Sequence, residues 1–521
     1  MVAVAGPGTA QQRTANVVTY DYGITLPDTG TEINAWALIL VQVSPNSDSL
    51  RLNLVRMTVD SVLLRDRKFH DQPVPYRYDG RTITIPAHGA RMELTVVYHG
   101  TPTDGLLFGR NARGDRTVFG DNWPERARYW LPTVDHPSDK ATARFSVEAP
   151  PGWSIVANGK HVTTEPLPSG RNLWQWRIGT PIPTYTMVIG AGKFTVSHHR
   201  SLVHEVDIPI EVWTYAEDSA FADSVPFRRA TEIVETMERL VGPFPYEKLA
   251  HVESSTRYGG MENASAIFYA EQPYVDRTMR QGVVRHETAH QWFGDAVTPR
   301  EWPHLWLSEG FASYFDLVIG AALDGDSVLT DGMRRNAESY FASGVVDRPV
   351  VDTAERDPMR LLNANSYQKG AWVLHMLRGL VGDSAFFRGI REYYRVYRDS
   401  TAVSEELQRV MQQTAGRKLD WFFRQWLWQP GYPWLTVRWR YDPAERRVRL
   451  DLAQVQPDAW GGYRLPRLEV EAVTAGARRV RRVYSMDART SIAYLELDEA
   501  PAAVRVDPDG RLLLKALPLA Q

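Results

Sequence analysis

Cysteine is absent from all 521 residues, which excludes disulfides, thiolate metal ligands and cysteine nucleophiles together. The compartment stays open, because a cysteine-free chain suits the cytosol and the periplasm equally. No apolar run is long enough to cross a bilayer. Neither sign of charge prevails: 60 Lys and Arg stand against 62 Asp and Glu, a formal net charge of −2. That balance argues against a nucleic-acid or anionic-membrane partner. Repeats, low-complexity tracts and long charge blocks are missing too. The opening MVAVAGPGTAQQ has neither a basic n-region nor a proper apolar segment, so no intact secretory signal is expected. The small residues ahead of Gln11 and Gln12 read as the scar of a trimmed one. The expectation is a soluble monomer, periplasmic or secreted on that hint and cytoplasmic without it.

What the chain does have is length and large side chains. At 521 residues it can hold two to four domains, and 17 Trp with 23 Tyr supply cores and pockets. From about Asn16 to Val206 short alternating runs predict strands, among them Trp36–Val43, Leu52–Val59, Ile83–Ile85 and Met92–Tyr98. Turn clusters separate them, and the spacing suits a large antiparallel sheet structure. From about Asp207 the period becomes helical, predicting helices over 218–241, 277–293, 305–320, 326–342, 366–381, 383–397, 403–414 and 419–428. Gly242, Gly294, Gly320, Gly382 and Gly416 fall where helix ends are expected. After Gln429-Pro430-Gly431 the pattern returns to strands over Leu435–Tyr441, Val448–Val455, Leu468–Val473 and Ile492–Leu497. The expectation is a multidomain α+β protein: a β domain over 1–206, a mainly α domain over 207–430 and a small β domain over 431–521.

The chemistry concentrates in the middle. His286-Glu287-Thr288-Ala289-His290 places two imidazoles four residues apart, on one face of a helix and within reach of one ion. Glu287 lies beside that face, where a carboxylate can take a proton from an activated water. By itself HExxH also suits two partly buried histidines and a surface glutamate. Glu309 follows within Trp306-Leu307-Ser308-Glu309-Gly310-Phe311-Ala312, on a mostly apolar surface where a carboxylate needs a partner. Two His and one Glu are the ligand set of single-zinc hydrolases; the bland alternative for Glu309 is a salt bridge at a helix start. Upstream, Gly259-Gly260-Met261-Glu262-Asn263 pairs two glycines, which let a strand-edge backbone approach a ligand, with an anion at that edge. A plain turn between strands would explain it as well.

These residues carry a resemblance to peptidase family M1, the gluzincin aminopeptidases. His286, Glu287, His290 and Glu309 match HExxH-x18-E without a gap, and HETAHQWFGDAVTPREWPHLWLSEGFASYF is similar to the family's sequence almost throughout. The resemblance is specific from about residue 245 to 375. It implies a saddle-like N-terminal β domain, a thermolysin-like catalytic domain and a C-terminal β-sandwich. It also implies one zinc per chain on His286, His290 and Glu309, with Glu287 as general base. The Gly259–Asn263 stretch matches the family's GxMEN motif, which binds the substrate backbone in extended form; Glu262 would take the free α-amino group. Tyr367, in Ser366-Tyr367-Gln368-Lys369-Gly370, matches the tyrosine that supports the oxyanion. The implied substrates are peptides with a free N-terminus. An epoxide hydrolase of the same family, or a catalytically silent peptide-binding relative, is the alternative.

The chain departs from the family in three places. Ser308 stands where the family usually has Asn. Trp123 stands where many members carry a Gln or Glu amine anchor, five residues before Arg128 and nine before Pro132; Asp121 and Asn122 are near enough in sequence to substitute. The ninety residues of β character at the end resemble the small β-sandwich of larger members without their helical superhelix. Other features carry no function: His198 and His199 are adjacent in a strand and point to opposite faces, Arg113-Gly114-Asp115 is a chance tripeptide, and Trp421, Phe422, Phe423, Trp426 and Trp428 suit packing.

Overall fold

The computed structural model describes residues 15–65, 70–203 and 206–518; the opening segment read as a trimmed signal lies outside them. The chain forms two compact units, one of Met1–Arg239, Pro243–Arg300 and Tyr397–Thr401, the other of Leu240–Gly242, Glu301–Val396 and Ala402–Gln521. Among the described residues no helix is long and apolar enough to cross a membrane.

The first unit is built on an eight-stranded sheet. Its order is Lys160–Pro166, Asn172–Pro183, Lys140–Ala149, Ala15–Thr25, Ile33–Val43, Arg91–Gly100, Thr58–Arg65, Asp71–Pro73. Ile33–Val43 shows the cause most plainly: Ile33, Ala35, Ala37, Ile39, Val41 and Val43 are buried while their neighbours face out, the period of a strand with one wet face. Pairing is antiparallel except between Ala15–Thr25 and Lys140–Ala149, which run parallel. The strand expected over Leu52–Val59 is two strands, Ser49–Asn53 and Thr58–Arg65. Arg56, at φ 57°, turns the chain between them.

The helical period expected from Asp207 begins later. Val206–Thr214 is a strand of a five-stranded sheet ordered Thr195–Val203, Val206–Thr214, Leu249–Ser254, Ala266–Ala270, Gly260–Met261. Every residue of Leu249–Ser254 is buried, as befits a strand paired in parallel on both sides, and such a strand shows no alternation. The helix expected over 218–241 is two, Ser219–Ser224 and Ala230–Leu240, because Pro226 has no N–H to continue the first. The helix expected from 277 begins at Gln281, since Arg277 sits at φ 57°. Gln281–His290 has no side-chain cap; buried Val284, Thr288 and Ala289, followed by buried Trp292 and Phe293, hold it in place.

In the second unit Trp306–Asp324 is apolar almost all round and buried over most of its length, the pattern of a core helix. Gly320 lies inside it; the stop is Gly325, at φ 105°. Gly370–Val381 packs against this helix and follows a π-helical turn over Asn365–Lys369, a local widening frequent at functional sites. Ser327–Phe341, Asp383–Tyr397 and Ser404–Ala415 complete the long helices. After them come two small sheets, of four and three strands. The fold is therefore multidomain α+β, with β structure leading, helices in the middle and β structure at the end.

Candidate metal centre

His286 and His290 stand one turn apart on Gln281–His290, their Nε2 atoms 3.1 Å from each other and their rings nearly perpendicular. Two nitrogens bound at 2.0–2.1 Å to one tetrahedral zinc would be separated by ~3.3 Å. The pair thus fits that ion with little adjustment. His290 is buried and its Nδ1 lies 3.2 Å from the carbonyl of Phe293. A proton on Nδ1 donated to that oxygen leaves the Nε2 lone pair facing His286. The carbonyl is placed by the turn after the helix, where the Asp295 N–H donates to the His290 carbonyl and the Gly294 N–H to that of Val297.

Glu287 is buried, and its carboxylate lies against Gly260. A Cβ at residue 260 would come within 2.3 Å of the Glu287 Oε1, so the second glycine of the pair admits the acid where a side chain would force it aside. Gly260–Met261 is the edge strand of the five-stranded sheet, paired on one side with Tyr269 and Phe268. Its backbone is the template for a further strand. Glu262, the next residue, is buried, and ligand atoms of Glu262, Glu287 and His290 lie within 4.8 Å of one another. Met261 and Asn263 are buried too, and the Asn263 carbonyl takes the Ala266 N–H at 2.9 Å.

Behind this cluster sit groups that local pattern did not mark. Asp295 is fully buried, and burial followed by the charge of Glu262 holds its carboxyl well above the ordinary range. Lys140 reaches the carbonyls of Asp295 and Ala296 at 2.8 Å each and that of Ser400 at 3.3 Å. Burial pushes its ammonium down to about 7. Gln291, fully buried, binds Glu262, Ser265 and Asp295. Lys140 gave no signal because its partners are more than 150 residues away.

Asn122 and Asp121 are engaged elsewhere: the Asn122 amide donates to the Met187 carbonyl and accepts the Trp130 indole N–H, and Asp121 takes the Arg257 backbone N–H at 3.1 Å. Trp123 is buried edge-on to Tyr258. His198 and His199 belong to no metal-binding group among the described residues. Arg113 pairs with Asp218 and Glu271, and Asp115 with Lys193, so that tripeptide serves the fold. Phe422, Phe423 and Trp426 are buried in packing.

In the second unit Glu309 occupies the first turn of Trp306–Asp324 and is buried, as is Ser308. Gly310 lies directly on Gly370, where a Cβ would meet the Gly370 Cα at 2.8 Å. This contact seats the helix of Glu309 against the π-helical turn that carries Tyr367. Lys369, fully buried in the same turn, donates to the carbonyls of Gln429 and Gly431 at 3.2 and 3.0 Å. Burial pushes its ammonium down to about 7.

A model of the peptidase family M1 domain matches residues 227–426, and one of the peptidase M1 N-terminal domain matches residues 18–186. Aminopeptidase N of Streptomyces lividans is 28% identical over 416 residues, covering 74% of this chain and 45% of that protein. Tricorn protease-interacting factor F2 of Thermoplasma acidophilum is 26% identical over 412 residues, 74% of this chain and 50% of that one. The chain thus spans about half the length of these curated relatives. An M1 zinc metallopeptidase from Deinococcus radiodurans superimposes with a TM-score of 0.71 at 25% identity, over 81% of this chain and 95% of that one. Legionella pneumophila aminopeptidase A, solved with aspartic acid, shares the fold with a TM-score of 0.85 at 17% identity, over 98% of this chain and 61% of that one.

Proposed function

The chain belongs to peptidase family M1, and on that premise we propose that it is a zinc aminopeptidase, hydrolysing the first peptide bond of peptides with a free N-terminus. His286, His290 and Glu309 hold the metal in this reading, supported by the spacing of the imidazole pair and by the burial of the Glu309 carboxylate on its own helix. When bound, zinc supplies Lewis acidity that acidifies a water and polarises the scissile carbonyl. Glu287 takes the proton of the attacking water and delivers it to the departing amine. The Tyr367 phenol donates to the carbonyl oxygen as it gains charge. Glu262 binds the α-ammonium, while Gly259, Gly260, Met261 and Asn263 present the strand edge along which the substrate backbone lies.

One observation carries the exopeptidase part of the reading. Glu262 and Glu287 have carboxylate oxygens within 4.8 Å of each other. The α-nitrogen and carbonyl carbon of one residue are only about 2.5 Å apart. An amine held by one acid therefore leaves room for a single residue before the bond that the other acid serves. The domain boundaries at 206 and 430 belong to the same reading, supported by family matches that end at 186, resume at 227 and stop at 426.

The test is a panel of aminoacyl 4-nitroanilides with N-acetylated counterparts, assayed with and without a chelator. Cleavage of free amines alone, lost to the chelator and restored by zinc, is the expected result. Equal cleavage of acetylated substrates would remove Glu262 as the anchor, and inactivity of zinc-loaded protein on the whole panel would refute the activity.

A further inference from the structure

Gln291 follows the second histidine and is fully buried. Its amide can donate two hydrogen bonds and accept at its oxygen, and both kinds are in use. Nε2 donates to the backbone carbonyl of Glu262 and to Oδ2 of Asp295, each at 3.0 Å. Oε1 accepts the backbone N–H of Ser265 at 2.7 Å. The amide can point only one way: the Glu262 backbone carbonyl demands a donor, and the Ser265 backbone N–H demands an acceptor. The acid it leans on is itself fixed, since the Asp295 N–H donates to the His290 carbonyl at 3.1 Å and the Asp295 carbonyl takes Lys140 and Thr298. One side chain therefore grips both ends of the Glu262–Ser265 segment and binds it to the end of the helix that carries Glu287.

We infer that Gln291 is a positioning residue that sets the distance between the amine anchor Glu262 and the general base Glu287, and so the one-residue register of cleavage. This rests on the aminopeptidase reading. The Glu262 carboxylate can hold its place only if its own backbone does. The bonds from Gln291 refer that short segment to the end of the catalytic helix. Substrate enters through the anchor, so loosening the clamp weakens capture of the free amine more than it slows chemistry on substrate already bound.

The variants are Gln291→Met, which keeps length without the bonds, and Gln291→Glu, which sets an acceptor against the Glu262 carbonyl. The expected result is one zinc per chain, a KM for the best aminoacyl 4-nitroanilide raised about tenfold or more, and a kcat within about threefold of wild type. The preference for free over acetylated substrate should shrink in parallel. Should Gln291→Glu fail to fold, the double variant with Asp295→Asn gives the new carboxylate a permanent amide donor while the Glu262 carbonyl still lacks its own. It should fold and keep the raised KM. A wild-type KM in any folded variant, or a fall in kcat alone, overturns the clamp. A wild type that cleaves acetylated and free substrates equally overturns the anchor reading itself and the clamp with it. A discriminating wild type beside unchanged variants overturns the clamp alone.

Discussion

Replacing Gly310 with alanine tests whether the glycine crossing in the second unit is what seats Glu309. The new Cβ would stand 2.8 Å from the Cα and the carbonyl carbon of Gly370 and 3.2 Å from the Ser366 carbonyl oxygen. Ordinary contact begins at 3.4 Å, so the two backbones must part by about 0.6 Å, and no side chain is there to turn aside. Overpacking of this kind costs ~1–3 kcal/mol. Alanine returns ~1 kcal/mol by its helix propensity, so the net loss is ~0–2 kcal/mol. Out of the ~5–15 kcal/mol typical of a domain, this leaves the protein folded. Function has far less slack. Glu309 is the neighbouring residue and Tyr367 rides on the facing turn, while metal–ligand distances tolerate only about ±0.2 Å. A misplacement approaching 1 Å can cost ~100-fold in rate. Gly310→Ala should therefore lower kcat/KM by about 10- to 100-fold and weaken zinc retention. The assay pairs steady-state kinetics with competition against a chromogenic chelator and urea unfolding on the same preparation. Wild-type activity with unchanged zinc affinity would refute the reasoning, and so would a loss of activity no larger than the unfolded fraction explains.

Two further outcomes follow from single residues. Glu287→Gln keeps the shape of the base without its proton affinity; kcat should fall by ~10²–10⁴ with zinc content and KM nearly unchanged, and a variant that keeps its turnover would disqualify Glu287 as the base. Glu253 is fully buried, and burial, aided by the charge of Asp218, pushes its carboxyl up to about 9 from an ordinary 4.5. Between those values the native state keeps a proton that the unfolded chain has lost. The stability this acid contributes is thus complete below pH 4.5 and drains away as the pH rises toward 9. Glu253→Gln carries no such proton, so its melting temperature relative to wild type should climb from pH 5 to pH 8.5. Parallel melting profiles across that range would contradict the assignment.

The sequence by itself determined what depends on neighbours along the chain. Ile33–Val43 alternates because every second side chain meets the core, and His286 and His290 share a face because a helix returns every 3.6 residues. The burial of Glu309 was legible in its apolar neighbours Trp306, Leu307, Phe311 and Ala312. Local signals failed where burial is two-sided or a break is a matter of conformation. Leu249–Ser254 has no exposed face to create a period, and the apolar run through Leu54 and Val55 hid the turn at Arg56. Tertiary structure alone decided the rest. Lys140 meets Asp295 across 155 residues, Gln291 grips a segment 29 residues before it, and Gly310 lies on Gly370. In each case the partner is chosen by how separate elements pack, and periodicity within one element carries no record of which backbone will come to rest against it.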